Sequence, residues 1–360
     1  MNKTQVPLEV LGTVGFFCIL VGFGFLVHHS NGQTRPVAPK LRCTASHSRD
    51  QDDMCIWVHP RDRSQSTIVT SDKKANMLFV YDLEGRVIHS VHVRHPGDVD
   101  VRYNFPLAGQ SIDIVALNER HNADILVYKV DPDTRKLERI DNGTIQTGKN
   151  FGGALYHSHK TGKFYFVSTG KDDFVEQYEL ADDGTGKVGG KKVRTWRIDH
   201  AESAVADDET GTLYIGQENA GVWQFGAEPA DPTTGQMIIK LGENGLVGDI
   251  EGLALYDLPG GDDYLIVSNQ GSNDFKVYQR SAPHRFVGTF SVAGAIHTGG
   301  LEVCNASLGS HFPEGIFVCH SAAAGRPVLV APWEVIARSV GSGLAIHTEW
   351  QGRGLVDSRP

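Results

Sequence analysis

Carboxylates return along this chain at a nearly constant interval. Asp53, Asp100, Glu202, Asp249 and Glu302 are separated by 47, 102, 47 and 53 positions. The double interval leaves room for one further unit, beginning near Phe151. Between these markers run short segments rich in β-branched and aromatic residues: Ile56-Trp57-Val58, Met77 to Tyr81, Ile112 to Val115, Phe164 to Val167, Leu213-Tyr214-Ile215 and Tyr264 to Val267. Turn dipeptides divide them, among them Glu84-Gly85, Asn142-Gly143, Asp183-Gly184 and Pro259-Gly260. Short strands with regular turn signals indicate an all-β sandwich, barrel or propeller. Six units of about fifty residues select the propeller, six four-stranded blades around a central channel. The first strand of each blade lines that channel, so residues repeated at its phase converge on one axis. Helical periodicity is nearly absent after residue 40, and 41 glycines fit a chain with many turns.

The first 35 residues follow another logic. Val10 to Val27 carries no charge, with Lys3 upstream and a polar stretch, His28 to Gly32, downstream. Its length lies between a long signal peptide and one membrane span, and four glycines weaken it as a soluble helix. Residues 1–35 are read as a signal peptide or an N-terminal membrane anchor, with a possible tether through residues 10–27. Residues 36–360 are read as one propeller domain, secreted or extracytoplasmic and monomeric. In such a compartment Cys43, Cys55, Cys304 and Cys319 can form disulfides or remain buried thiols, and Cys304 with Cys319 is a candidate staple. Asn142-Gly143-Thr144 and Asn305-Ala306-Ser307 fit the N-glycosylation pattern. The net charge of −9 argues against nucleic acid as a partner, though a local basic patch still suits a small phosphorylated ligand.

Two sets of side chains carry chemistry. The acidic set is Asp50, Asp52, Asp53, Glu202, Glu218, Asp249 and Glu251, many beside turn residues. Gathered at one mouth of the channel, so many carboxylates need a cation, and calcium suits an all-oxygen site. The basic set is Lys73, Lys74, Arg102, Arg120 and Lys171, each near a strand end and drawn from several blades. Beside a metal-loaded mouth these cations would clamp an anion, and phosphoryl groups fit best.

The sequence also resembles a known family. Asp52-Asp53-Met54-Cys55-Ile56-Trp57-Val58-His59-Pro60, Ser71-Asp72-Lys73-Lys74, Val99 to Phe105, Leu155 to Lys163, Thr169-Gly170-Lys171, Asp249-Ile250-Glu251-Gly252-Leu253, Ser268-Asn269-Gln270-Gly271 and Pro332-Trp333-Glu334 are similar, in order, to β-propeller phytases. The resemblance covers about residues 45 to 338. It implies a calcium-dependent 3-phytase, a phosphoric monoester hydrolase that releases phosphate from phytate (myo-inositol hexakisphosphate) by attack of calcium-bound water. It implies Glu202, Glu218, Asp249 and Glu251 as catalytic metal-holding groups, with Gln270 as a further calcium ligand and Lys171 acting on the phosphate. Asp52, Asp53 and Asp100 complete the expected metal ligands for several calcium ions. Lys73, Lys74, Arg102, Arg120 and Lys171 are the expected substrate contacts. A binding propeller without turnover, or a phosphatase for another phosphorylated metabolite, remains the alternative.

The chain departs from the family at four places. Phe151 stands where a tyrosine is usual, and Lys171-Asp172 replaces Lys-Glu. His297-Thr298-Gly299-Gly300-Leu301-Glu302 replaces a carboxylate-rich stretch, and Cys319-His320-Ser321 replaces Gln-Asp-Gly. The last two remove carboxylates from a region that holds structural calcium in the family.

Overall fold

A computed structural model describes residues 35–170, 172–257 and 263–353. Six antiparallel four-stranded sheets form the fold among these residues. We call them blades I to VI in the order of their innermost strands: Gln51–Trp57, Pro96–Leu107, Gly153–His157, Ala201–Asp207, Ile250–Tyr256 and Leu301–Cys304. The expected six-bladed propeller is therefore the observed architecture, and the unit expected near Phe151 is blade III.

Burial explains why these segments become strands. The second strands of four blades, Thr67–Asp72, Phe164–Ser168, Tyr264–Asn269 and Ile316–His320, are buried at every residue. They lie inside each blade and are covered on both faces by neighbouring blades, so they read as continuous runs instead of alternating ones. Outer strands are half exposed, as in Val87–His92 with its exposed Val87, Ser90 and His92. Aromatic rings join the blades: Phe105 meets Phe164 between II and III at 5.0 Å, Trp196 meets Phe225 between III and IV at 5.6 Å, and Phe275 meets Phe317 between V and VI at 4.8 Å. Apolar packing between blades thus holds the ring together.

The ring closes through the N-terminal side. Leu41–Cys43 pairs with Val328–Pro332 and becomes the fourth strand of blade VI. Among the described residues the sequence from Ser339 completes no blade. After the helix Trp333–Ser339 it runs as a tail across several blades. Trp333 donates to Ala345 O, Tyr256 meets His347, and Trp350 packs edge-on against Tyr103. Arg353 donates to both oxygens of Asp113 at 2.7 and 2.6 Å.

Two expectations need correction. All four described cysteines are free and buried. Cys304 lies opposite Ile316 and Cys319 opposite Leu301, so their register keeps them three residues apart and no staple forms. Asn305 is 3% exposed, with its side-chain amide donating to Asp257 O, so only Asn142 of the two glycosylation matches is on the surface.

Candidate active site

The carboxylates enter the axis through a shared backbone device. Four of the six innermost strands carry a register shift near their start: between Gln51 and Met54, Pro96 and Val99, Ala201 and Ser203, and Ile250 and Leu253. These intervals contain Asp52, Asp53, Asp98, Glu202 and Glu251. A bulge inserts an unpaired residue and re-aims its side chain, so strands that would alternate strictly can present adjacent carboxylates to the axis. Two glycines make the space. A Cβ on Gly300 would stand 2.0 Å from Asp53 Oδ1, and one on Gly152 would stand 2.3 Å from Asp98 Oδ2.

A cavity of about 280 Å³ opens at this end. Asp50, Asp52, Glu202, Glu251 and Gln270 line it with Lys73, Phe151, His320 and Arg326. Glu218 and Asp249 join from adjoining loops. Carboxylate oxygens of Glu218, Asp249 and Glu251 lie within 4.8 Å of one another. Three hard oxygen donors at this spacing, with Glu202 and the amide of Gln270 in the same cavity, fit a calcium ion.

The mouth also carries basic groups, paired with Asp50 and Asp52. Lys73 Nζ lies 2.8 Å from Asp52 Oδ1, and Arg120 Nη2 lies 3.6 Å from Asp52 Oδ2. Burial alone would raise the Asp52 carboxyl, but Lys73 and Arg120 outweigh it and hold it below the usual range. Lys74 Nζ is 2.8 Å and Arg326 Nη1 3.2 Å from Asp50. The Arg120 guanidinium is centred 4.0 Å from the Phe151 ring, a cation–π contact that fixes it beside the mouth. His320 is almost wholly buried, and burial pushes it down to about 4 although Asp52 pulls the other way. Lys171 lies outside the described residues.

Beneath the mouth is a channel cavity of about 750 Å³, lined by Asp53, Asp98, Asp100, Arg102, Glu251 and Glu302 and reached at its far end by Trp350. Burial raises Asp53 and Asp98 well above the ordinary carboxylate range and pushes Glu302 up to about 8. Asp53 Oδ2 accepts from Val99 N at 2.8 Å.

Arg102 and Asp100 line this channel and are not among the residues that line the mouth. The Arg102 guanidinium donates to Asp208 at 2.7 Å, Asp100 at 2.9 Å, and the carbonyls of Leu155 and Ala206. Asp100 also takes the N–H groups of Val101 and Leu155. Their hydrogen-bonding capacity is used within the protein, leaving Arg102 little to offer a substrate and Asp100 little to offer a metal. The sequence reading omitted Asp98, which falls off the repeat phase by two, and Arg326, which sits in a loop with no repeat signal.

Comparison with known proteins gives three findings. The profile of the Phytase family matches residues 28–358. A 3-phytase of Bacillus subtilis (strain 168) is 39% identical over 326 residues, which is 85% of this chain and 85% of that protein. A luciferin-regenerating enzyme of known structure superposes with a TM-score of 0.52 at 13% identity, covering 81% of this chain and 94% of its own; that likeness concerns the fold alone.

Proposed function

The chain belongs to the phytase family, and from that premise we propose that its mouth hydrolyses phosphate monoesters of phytate with calcium as cofactor. The observation carrying this reading is the Glu218, Asp249 and Glu251 cluster, whose Glu251 lines the same cavity as Lys73 and Arg326. Glu202, Glu218, Asp249, Glu251 and Gln270 would hold the metal. Calcium, when bound, supplies charge neutralisation for the phosphate and lowers the pKa of water.

This chain's own residues do the rest. Lys73 and Arg120 bring positive charge to Asp52 at the mouth. They would orient a phosphoryl group and stabilise the charge that grows on its equatorial oxygens. Phe151 holds the guanidinium of Arg120 in place. Lys74, 63% exposed on its side chain, would reach an outer phosphate. Lys171 would add a further cation. Asp53 would help to hold calcium beneath the mouth.

The chain from residue 36 works as a monomeric propeller outside the cytoplasm, with residues 1–35 as leader or anchor. Among the described residues no helix is long and apolar enough to cross a membrane.

The test is phosphate release from calcium phytate by the chain from residue 36, with calcium and then with excess chelator. Release that needs calcium is the expected result. Glu251→Gln should lower kcat by about a hundredfold or more, since metal stabilisation of phosphoryl charge amounts to several kcal/mol. Turnover that persists in chelator would overturn the calcium reading. A folded, calcium-loaded protein with no turnover would make it a binding propeller.

A further inference from the structure

The seams between blades carry a buried polar position that repeats. Val99, Gly153 and Leu253 on innermost strands lie opposite Leu117, Ser168 and Val267. The residues that follow these partners are Asn118, Thr169 and Ser268, each at most 1% exposed. All three reach across a seam to the start of the following blade. Asn118 donates to Phe151 O at 2.8 Å, Thr169 Oγ1 to Glu202 O at 2.9 Å, and Ser268 Oγ to Thr298 O at 3.1 Å. Of the three receiving residues, Glu202 is the one expected to hold metal.

The hydroxyl of Thr169 is fully committed. Its Oγ1 accepts the N–H of Gly152 at 3.1 Å, and the Thr169 N–H donates to Gly152 O at 2.9 Å. Phe151 N donates to Thr169 O at 2.7 Å. A hydroxyl carries one proton, and with Gly152 as donor on one side that proton goes to Glu202 O. Gly152 permits the close approach of the two blades, since a Cβ there would stand 2.3 Å from Glu202 O.

Glu202 sits where such a hold matters. It is 6% exposed, lines the mouth cavity beside Glu251, and lies inside the register shift between Ala201 and Ser203. The ladder is locally disrupted at a bulge, so a bond to the Glu202 carbonyl from the neighbouring blade helps set where its carboxylate points. Groups that orient a metal ligand from behind govern metal affinity in this way.

We propose that Thr169 is a positioning residue for Glu202: its hydroxyl, held by Gly152 and bonded to the Glu202 carbonyl, aims the Glu202 carboxylate at the metal of the mouth. The inference rests on the calcium reading and extends it to a residue that does not line the mouth cavity.

The experiment is calorimetric titration of the metal-free protein with calcium chloride, paired with phytate kinetics over a range of calcium concentrations and with Tm in chelator. Thr169→Val keeps the shape and removes both the proton given to Glu202 O and the acceptor for Gly152. It should weaken calcium binding about tenfold, as for the loss of an outer partner of a metal ligand. The calcium concentration for half-maximal turnover should rise by the same factor, while kcat at saturating calcium stays within about threefold of wild type. Thr169→Ser retains the hydroxyl and should bind calcium within about twofold of wild type. Thr169→Cys keeps the volume with only a weak S–H donor and should fall between the two, which gives a reading even where Thr169→Val does not fold. A lower Tm in chelator with calcium binding unchanged would make Thr169 a structural latch and overturn the proposal. So would Thr169→Ser binding calcium as weakly as Thr169→Val or Thr169→Cys. The calcium reading fails separately: wild-type turnover indifferent to chelator would overturn that reading and this proposal with it, whereas calcium-dependent wild-type turnover with unchanged calcium affinity in the variants would refute the role of Thr169 alone.

Discussion

Replacing Arg102 by methionine separates a structural role from a substrate-binding one. The guanidinium joins Asp100 and Asp208 in the channel and also donates to the backbone carbonyls of Val101, Leu155 and Ala206. Although burial disfavours its charge, Asp100 and Asp208 hold it protonated, with its pKa above the ordinary arginine value. Methionine fills similar space but leaves two carboxylates near Glu302 without their cation. Breaking a buried pair from one side costs about 3–5 kcal/mol. Asp100 keeps the N–H groups of Val101 and Leu155, and Asp208 keeps that of His157. Those retained bonds favour the lower part of the range, and the three carbonyls that lose their donor add about 1 kcal/mol. The sum is about 4 kcal/mol. At about 2–3 °C per kcal/mol for a chain of this size, Tm falls by roughly 8–12 °C. The assay is thermal unfolding by calorimetry at fixed calcium, paired with phytate kinetics at 25 °C. KM should move less than twofold, because Arg102 does not line the mouth. Adding Asp208→Asn should return about half of the lost stability, since one uncompensated charge is removed. A Tm change under 2 °C together with a tenfold rise in KM would refute the assignment and return Arg102 to the substrate.

Other perturbations test other parts of the structure. Glu302 is raised from near 4.5 to about 8 by burial, with Asp100 adding to it. The folded state therefore binds its proton more tightly, and the associated stability is complete below pH 4.5 and lost as pH rises towards 8. In chelator, Glu302→Gln should flatten the decline of Tm between pH 5 and 8; an unchanged slope would count against it. A thiol reagent should find no reactive cysteine in the native chain from residue 36 and four after denaturation, because all four are buried and free. Fewer than four after denaturation without reductant would reveal a disulfide. Arg353→Ala should lower Tm by several degrees, since it removes a two-bonded pair with Asp113 and leaves that carboxylate only its contact with Trp57 Nε1. No change would mean that the tail adds nothing to the ring.

The sequence by itself determined the number of blades, the all-β class and the identity of most of the mouth. Strand length, turn chemistry and a fifty-residue interval are local properties, and a fold built from repeats writes them into every unit. Asp53 and Glu202 were legible because their phase in the repeat places them on innermost strands. The tertiary structure decided what each charge does there. Arg102 and Arg120 look alike in the sequence, yet one is spent on Asp100, Asp208 and three carbonyls while the other stacks on Phe151 beside the cavity. The bulges that turn adjacent carboxylates into the axis depend on pairing with the next strand. His320 and Arg326 meet Asp52 and Asp50 only because Leu41–Cys43 closes blade VI and brings the chain's last blade against its first. Contacts between residues about 270 positions apart follow from ring closure, and ring closure depends on the packing of all six blades.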